Sequence, residues 1–365
     1  MALSCGIVGL PRVGKTTIFN ALTAANAQVG AFTSASADPN IAVVSVPDPR
    51  LEELGKANRS KKITPTTLRF VDVAGLVRGS AQGGGSGNQF LAHIREVDAI
   101  VHVVRCFEDE QVIHEDGSVN PARDVETIHL ELALSDLATV ERRRERVIKL
   151  ARTGDAPAKR LLAALEAVKA QLDEGRPARE AHLPKEEWSL LTDLNLLTIK
   201  PILYVANIGE SGLAPDHPHA SALEAVAAAE KAPCIRVCGK IEAEMAGLPK
   251  EERAEFMEAY GLKESALSQI IHAGFDLLGL MTFLTAGEDE TRAWTITKGT
   301  RAPQAAGKIH SDLERGFIRL EVYSYEDWLA CGKDEKKIKE KGLWRSEGKE
   351  YVMREGDVCL FRFNV

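Results

Sequence analysis

The sequence predicts an α/β fold in three parts: a domain built on a parallel-rich sheet, a helical hairpin inserted into it, and a small α+β domain at the C-terminal end. Three observations carry this reading. From residue 3 to about 105, short apolar runs alternate with helical stretches and glycine-rich loops, the order that produces a parallel sheet with helices on its faces. A long segment of helical periodicity, about 122–196, breaks that alternation. After about residue 281 strand-like runs dominate. The expected domains are therefore 1–280, carrying the insertion, and 281–365.

Taken in order, "LSCGIVGL", "IAVVSV", "LRFVDV" and "AIVHVV" are apolar runs of strand length, and "PILYVAN" (201–207) and "APCIRVCG" (232–239) resume the pattern. In the insertion, Leu130, Leu134 and Leu137, and then Val147, Ile148 and Leu150, lie at helical spacing. "TGDAP" (153–157) breaks the helix, and Leu161, Leu165, Val168 and Leu172 continue the stripe on a second one. "ERRRER" (141–146) reads as a solvated helix face, with a basic contact to RNA or a partner as the other reading. The C-terminal strands are "LMTFLTAG", "TRAWTIT", "GFIRLEVYS" and "DVCLFRFNV", with a helical stretch "APQAAGKIHSDLE" between the second and third.

Composition narrows the possibilities. A chain of 365 residues exceeds what one core usually serves. A net charge of -7 exerts no global pull toward nucleic acid or an anionic membrane, so any such contact must come from a local patch. No apolar run is long enough to span a bilayer, and the opening "MALSCGIVGL" lacks a basic segment before its apolar run. The six cysteines form no C-x-x-C pair and no zinc-ligand set, which points to reduced thiols in the cytoplasm.

The chemistry lies in "GLPRVGKTT" (9–17), with Gly9, Gly14, Lys15 and Thr16 at the spacing of a phosphate-binding loop. Its glycines let backbone N–H groups turn toward phosphate oxygens, Lys15 adds charge near the β- and γ-phosphates, and the Thr16 hydroxyl suits Mg²⁺. "LRFVDVAG" puts Asp72 at a strand end, suited to a Mg²⁺-bound water, and Gly75 where a backbone N–H meets the γ-phosphate. Leu76 stands where many GTPases carry a water-orienting glutamine, and the glycine-rich run 83–87 is expected to be mobile. The strand "PILYVAN" ends in Asn207, Ile208, Gly209 and Glu210. The asparagine of the N-K-x-D guanine motif is kept, but Ile208 replaces its lysine and the longer Glu210 its aspartate, which undermines guanine recognition.

Together "GIVGLPRVGKTTIFNAL", "VDVAGLVRGSAQGGGSGNQFLAHIREVDAIVHVVRCFED", "NIGE", "CGKIEAE" and "EGKEYVMREGDVCLFRFNV" resemble the Obg-like ATPase family, the YchF group of P-loop proteins, over essentially the full length. The resemblance implies a Ras-like core and a C-terminal domain of the TGS type. It implies ATP in preference to GTP, slow Mg²⁺-dependent hydrolysis, and association with the ribosome (large subunit or 70S), with translation factors or with RNA. A monomer without membrane contact is expected. Carried over by position, the phosphate loop falls on Arg12, Val13, Gly14, Lys15, Thr16 and Thr17, and Mg²⁺ on Thr16 and Ser36, with Asp72 acting through water. Lys15 and Gly75 serve the reaction, and Asn207, Ile208 and Glu210 the base, with Ile208 facing adenine.

The chain departs from the family pattern in two places. The first switch reads "FTSASADPN" (32–40), so Ser36 replaces a threonine and Thr33 and Ser34 replace apolar anchors. Arg12 stands where relatives usually carry an asparagine that helps hold potassium. An arginine cannot ligate a cation, so Arg12 either supplies its own charge to the leaving phosphoryl group or points to solvent. A GTPase, and a nucleotide-gated binding module with negligible hydrolysis, remain as alternative functions.

Overall fold

The computed structural model describes residues 3–28, 40–73, 85–210, 216–262 and 264–364. They form two compact units: the larger draws mainly on the chain through Ala25 and on Arg69–Ile270, and the smaller on Val43–Leu68 and the chain from Ile271 onward.

The larger unit is built on β1 (Ser4–Val8), β2 (Ile41–Ser45), β4 (Thr67–Asp72), β5 (Ala99–Arg105), β6 (Ile202–Asn207) and β7 (Cys234–Val237), in the order β2-β4-β1-β5-β6-β7. β1 pairs parallel with β4 and β5, β5 with β6, and β6 with β7. The strands are buried end to end in β1, β5 and β6, because helices cover both faces, and this is why they read as unbroken apolar runs. The helices are α1 (Lys15–Gln28), α3 (Gly85–Glu96), α7 (Pro218–Ala229), α8 (Gly239–Gly247), α9 (Lys250–Ala259) and α10 (Ala266–Leu277), which runs on into the smaller unit. Register aligns Ile7 with Asp72, Val8 with His102, and Arg105 with Asn207, which itself faces Val237. The carboxyl ends of five strands thus meet at one edge, at the point where the chain order reverses between β1 and β5, the usual position for a ligand in such a sheet.

The glycine run expected to be mobile is in part helical, since Gly85 opens α3. The reason lies just downstream, where Phe90 and Ile94 are fully buried and draw the preceding turn into the helix.

The insertion is α4 (Pro121–Arg152), α5 (Ala156–Asp173) and the single turn α6 (Lys185–Trp188), followed by a 3₁₀ stretch Ser189–Leu194. Asn120 and Asp155 cap α4 and α5 by accepting the N–H groups of Arg123 and Ala158, each with a proline in the first turn. The second stripe is as expected, with Leu165, Val168 and Leu172 buried. The first holds only in part: Val147 is buried and Leu137 packs against the same cluster, but Leu130, Leu134 and Leu150 are exposed, and α4 also buries Val125, Ile128, Leu132, Val140 and Ala151. The core between the two helices is built from Ala133, Val140, Val147 and Ala151 of α4 against Ala158, Ala164, Leu165, Val168 and Leu172 of α5, which leaves the three exposed leucines outside it. Asp136 ties the hairpin to the sheet: its carboxylate accepts from the N–H groups of Leu197 and Thr198, at 2.8 Å each, and from the Thr198 hydroxyl at 2.7 Å.

The smaller unit contains α2 (Pro49–Ala57) and β3 (Lys62–Thr64), then β8 (Leu280–Thr285), β9 (Glu290–Thr297), α11 (Ala302–Ile309), α12 (Ser311–Arg315), β10 (Phe317–Ser324), α13 (Tyr325–Ala330), α14 (Glu335–Glu340), β11 (Arg345–Glu347) and β12 (Asp357–Phe363). Its sheet runs β11-β10-β12-β8-β9-β3, with β3 added parallel to β9. Leu51 and Leu54 of α2 pack in one cluster with Tyr323, Tyr325 and Trp328, while Arg50 bonds both Asp48 and Glu355. A segment some two hundred residues upstream of β8 therefore completes this unit.

Candidate nucleotide-binding site

The loop between β1 and α1 is shaped by steric necessity. A Cβ on Gly9 would lie 2.3 Å from the Val103 carbonyl oxygen. Gly14 has φ +96°, and a Cβ there would lie 2.2 Å from Asn207 Nδ2. Only glycine meets both demands. The first turn of α1 carries no acidic residue, so nothing competes with an anion for its N-terminal N–H groups.

Lys15 is buried, and its Nζ donates to the carbonyls of Gly9 at 3.0 Å and Leu10 at 2.7 Å. Burial lowers its pKa to about 8, against the opposing pull of Asp72 and Glu115. The Thr16 hydroxyl donates to Asp72 Oδ2 at 3.4 Å, across 56 positions of sequence. Burial raises the Asp72 pKa, held back by Lys15 and by this bond. A hydroxyl and a carboxylate so placed are an oxygen-only donor pair of the kind Mg²⁺ accepts. Asp72 also donates its backbone N–H to Asn40, beside the first-switch segment. Ser36, Gly75 and Leu76 lie outside the described residues.

Asn207, expected among the base-contacting residues, has its buried amide engaged elsewhere: Nδ2 donates to the Val13 carbonyl at 2.8 Å, and Oδ1 accepts the Gly239 N–H at 3.1 Å. It pins the phosphate loop to the start of α8. Ile208 is buried and donates its N–H to Val237. Glu210 pairs with Lys240 at 2.6 Å, both side chains being largely exposed. Arg12 sits at φ 60°, exposed, with Nη1 3.4 Å from the Ile113 carbonyl oxygen.

Around these groups lies a cavity of about 870 Å³, which Arg12, Lys15, Thr16, Thr17, Ile208 and Glu210 all line. The structure thus gathers residues from the beginning and middle of the chain into one pocket. Sequence reasoning missed its other wall, formed by Phe107, Glu108, Asp109 and Val112. Arg105, almost fully buried, shapes that wall by donating to the carbonyls of Phe107, Asp109 and Val112. The available signal was a lone arginine closing an apolar strand, directly before "CFEDE". A third group, His114, Asp116 and Asp124, has metal-ligand spacing. Arg123 pairs with both carboxylates there, and the His114 ring bonds Asp124 at 2.9 Å, which makes it a closed structural network.

Two family profiles match the chain: one described as "50S ribosome-binding GTPase" over residues 4–142, the other, YchF-GTPase_C, as "Protein of unknown function (DUF933)" over 280–364. The chain is 49% identical to the ribosome-binding ATPase YchF of Escherichia coli O157:H7 and 50% identical to that of Bacillus subtilis, with 100% of both chains covered in each case. It also matches the solved structure of the Schizosaccharomyces pombe YchF GTPase, with a TM-score of 0.88 and 36% identity, covering 99% of this chain and 97% of that one.

Proposed function

The chain belongs to the YchF family, and from that premise we propose that it is an ATP-binding, slowly ATP-hydrolysing switch that works on the ribosome. The observation that carries this reading is the pocket in which the phosphate loop, the Thr16–Asp72 pair and Ile208 converge.

In this reading the triphosphate lies on the N–H groups of residues 12–17, and Lys15 turns from the Gly9 and Leu10 carbonyls to the β- and γ-phosphates. Its charge then gains a partner it lacks on those carbonyls. Thr16 would hold Mg²⁺, helped by Asp72 through a water and by Ser36, and the metal when bound would neutralise phosphate charge. The base enters beside Ile208 and Phe107, an apolar slot suited to a flat ring. Asn207 acts one step removed, by holding the loop. Glu210 is drawn toward Lys240, which makes it a weaker acceptor for the guanine N1–H and N2–H₂ donors and favours adenine. Gly75 is the γ-phosphate sensor. Leu76 cannot orient water, so turnover is slow. The C-terminal part, TGS-like, serves partner binding, and the protein works as a cytoplasmic monomer on the large subunit or the 70S particle. No helix among the described residues is long and apolar enough to cross a membrane.

The test is calorimetry with Mg-ATP and Mg-GTP side by side, followed by single-turnover hydrolysis with and without 70S ribosomes. Tighter ATP binding and measurable, ribosome-sensitive turnover are expected. Equal or better GTP binding would return the protein to the GTPases, and ATP binding with no turnover would leave a nucleotide-gated binding module.

A further inference from the structure

A second cavity, of about 270 Å³, lies between α3 and α4, and its lining contains two arginines, two hydroxyl residues and no carboxylate. Arg95 is held in place there: its Nη2 donates to Ser135 Oγ at 3.0 Å and Thr139 Oγ1 at 3.3 Å. The other guanidinium, on Arg142, is exposed. Asp136, which feels the Arg95 charge, has its carboxylate already taken by Leu197 and Thr198. Asp136 offsets part of the Arg95 charge, and the charge at the mouth is that of Arg142.

The cavity opens onto a row of cations. Arg142, Arg146 and Lys149 follow at spacings of four and three, which puts them on one side of α4, opposite its buried Val140, Val147 and Ala151. Within "ERRRER" the hairpin neutralises Arg143 with Asp193 and Arg144 with Glu166. Arg142, Arg146 and Lys149 are exposed and have no ion pair among the described residues; Arg152, Lys159 and Arg160 extend the positive charge around the hairpin tip, with Glu145 and the capping Asp155 as the acids among them. In a chain of net charge -7 this is a concentrated local reversal of sign.

We propose that the α3–α4 cleft, with Arg142, Arg95, Ser135 and Thr139, binds a backbone phosphate of structured RNA, whose following phosphates lie along Arg146 and Lys149. A guanidinium fork beside the Ser135 hydroxyl matches the tetrahedral phosphate, while Thr139, whose hydroxyl donates to the Ser135 carbonyl at 3.1 Å, serves to hold Arg95 in place; a straight row of cations matches a polyanion of regular spacing better than it matches the scattered acids of a protein. The proposal deepens the ribosomal reading and rests on it for the identity of the RNA.

The experiment uses the full chain, purified 70S ribosomes and a fluorescein-labelled 20-base-pair RNA stem-loop, with Arg142→Glu and the triple variant Arg142→Ala/Arg146→Ala/Lys149→Ala. Circular dichroism checks the fold. The exposed pair Arg146→Ala/Lys149→Ala repeats the test with the cleft itself untouched. Weakening of at least tenfold in stem-loop affinity by the triple variant, with unchanged basal ATP turnover, is expected. So is a salt dependence shallower by about 0.9 for each phosphate the variant no longer neutralises. Unchanged affinity and slope would overturn the proposal, as would variants that keep RNA but lose an acidic polyglutamate peptide. If the parent binds the stem-loop through these residues but does not sediment with 70S particles, the cleft stands and the ribosomal reading falls. If the triple variant keeps both its stem-loop affinity and its sedimentation with 70S particles, the cleft falls and the ribosomal reading stands.

Discussion

Replacing Asn207 with alanine tests whether this side chain holds the loop or reads the base. The truncation strands two buried groups, the Val13 carbonyl and the Gly239 N–H, that now share one amide at 2.8 and 3.1 Å. A buried polar group left without a partner costs about 1–3 kcal/mol. Gly239 lines the large pocket and Val13 sits between its lining residues Arg12 and Gly14, where the loop can relax, so the lower half of that range applies, about 2–4 kcal/mol in sum. Ordering of the loop would then fall to the phosphates themselves, and the cost would appear as a loss of affinity of roughly 30- to 1,000-fold. A loop clamp affects everything that carries a triphosphate. Calorimetry should therefore show ATP, GTP and inorganic triphosphate weakened by a common factor, with the ATP-to-GTP ratio unchanged. If ATP weakens and inorganic triphosphate does not, Asn207 is a base contact and the clamp argument is refuted.

Four further outcomes follow from the same geometry. Because burial holds Lys15 at about 8 in the free protein and phosphate favours its charged form, ATP affinity should be greatest below pH 8, fall by up to tenfold per unit above it, and be accompanied by proton uptake, measurable by calorimetry in buffers of different ionisation heat. The stability of the free protein carries the opposite sign: the unfolded chain binds the extra proton between about 8 and 10.5, so this group's contribution rises with pH across that window. Lys240→Ala, which releases Glu210, should improve GTP binding relative to ATP by no more than a few-fold, since an exposed, solvent-screened pair contributes little; a larger gain in competition titrations would mean that the pair is the main barrier to guanine. Arg12→Ala should leave ATP affinity near the parent's and lower single-turnover hydrolysis by ten-fold or more if its charge meets the leaving phosphoryl group, a loss of about 2.7–4 kcal/mol being typical for such a donor; an unchanged rate together with strong potassium activation would leave Arg12 a solvent-facing residue. Leu54→Ala empties a fully buried site between α2 and the aromatic cluster around Trp328, and should cost about 2–5 kcal/mol, read as faster amide exchange in β8 and β12.

The Leu54 case also changes how a truncation must be read. A chain cut near 280 loses β8–β12 and leaves Leu51 and Leu54 of α2 without their cover. Loss of ATP affinity in such a chain would report misfolding as readily as a contribution of the C-terminal part to nucleotide binding. Internal substitutions such as Leu54→Ala are the cleaner probe.

The sequence by itself determined the phosphate loop, the strand ending in Asp72, the helical insertion and the family. Each is written in local terms: a glycine where a Cβ has no room, an apolar run of strand length, a proline and a capping residue ahead of α4 and α5. Tertiary structure decided what local patterns do not encode. Asn207 meets Val13 across 194 positions, and its identity as a clamp depends on the β5–β6–β7 register. Glu210 is paired because α8 brings Lys240 beside it. Leu130, Leu134 and Leu150 had the right spacing and the wrong face, because burial on α4 is set by what α5 and the sheet present to it. Residues 43–68 complete the smaller unit because its sheet has an edge at β9 where β3 can pair. Periodicity reports which residues share a face; only the packed chain decides which face is buried and which distant partner satisfies a polar group, because those free energies belong to pairs of residues far apart in sequence.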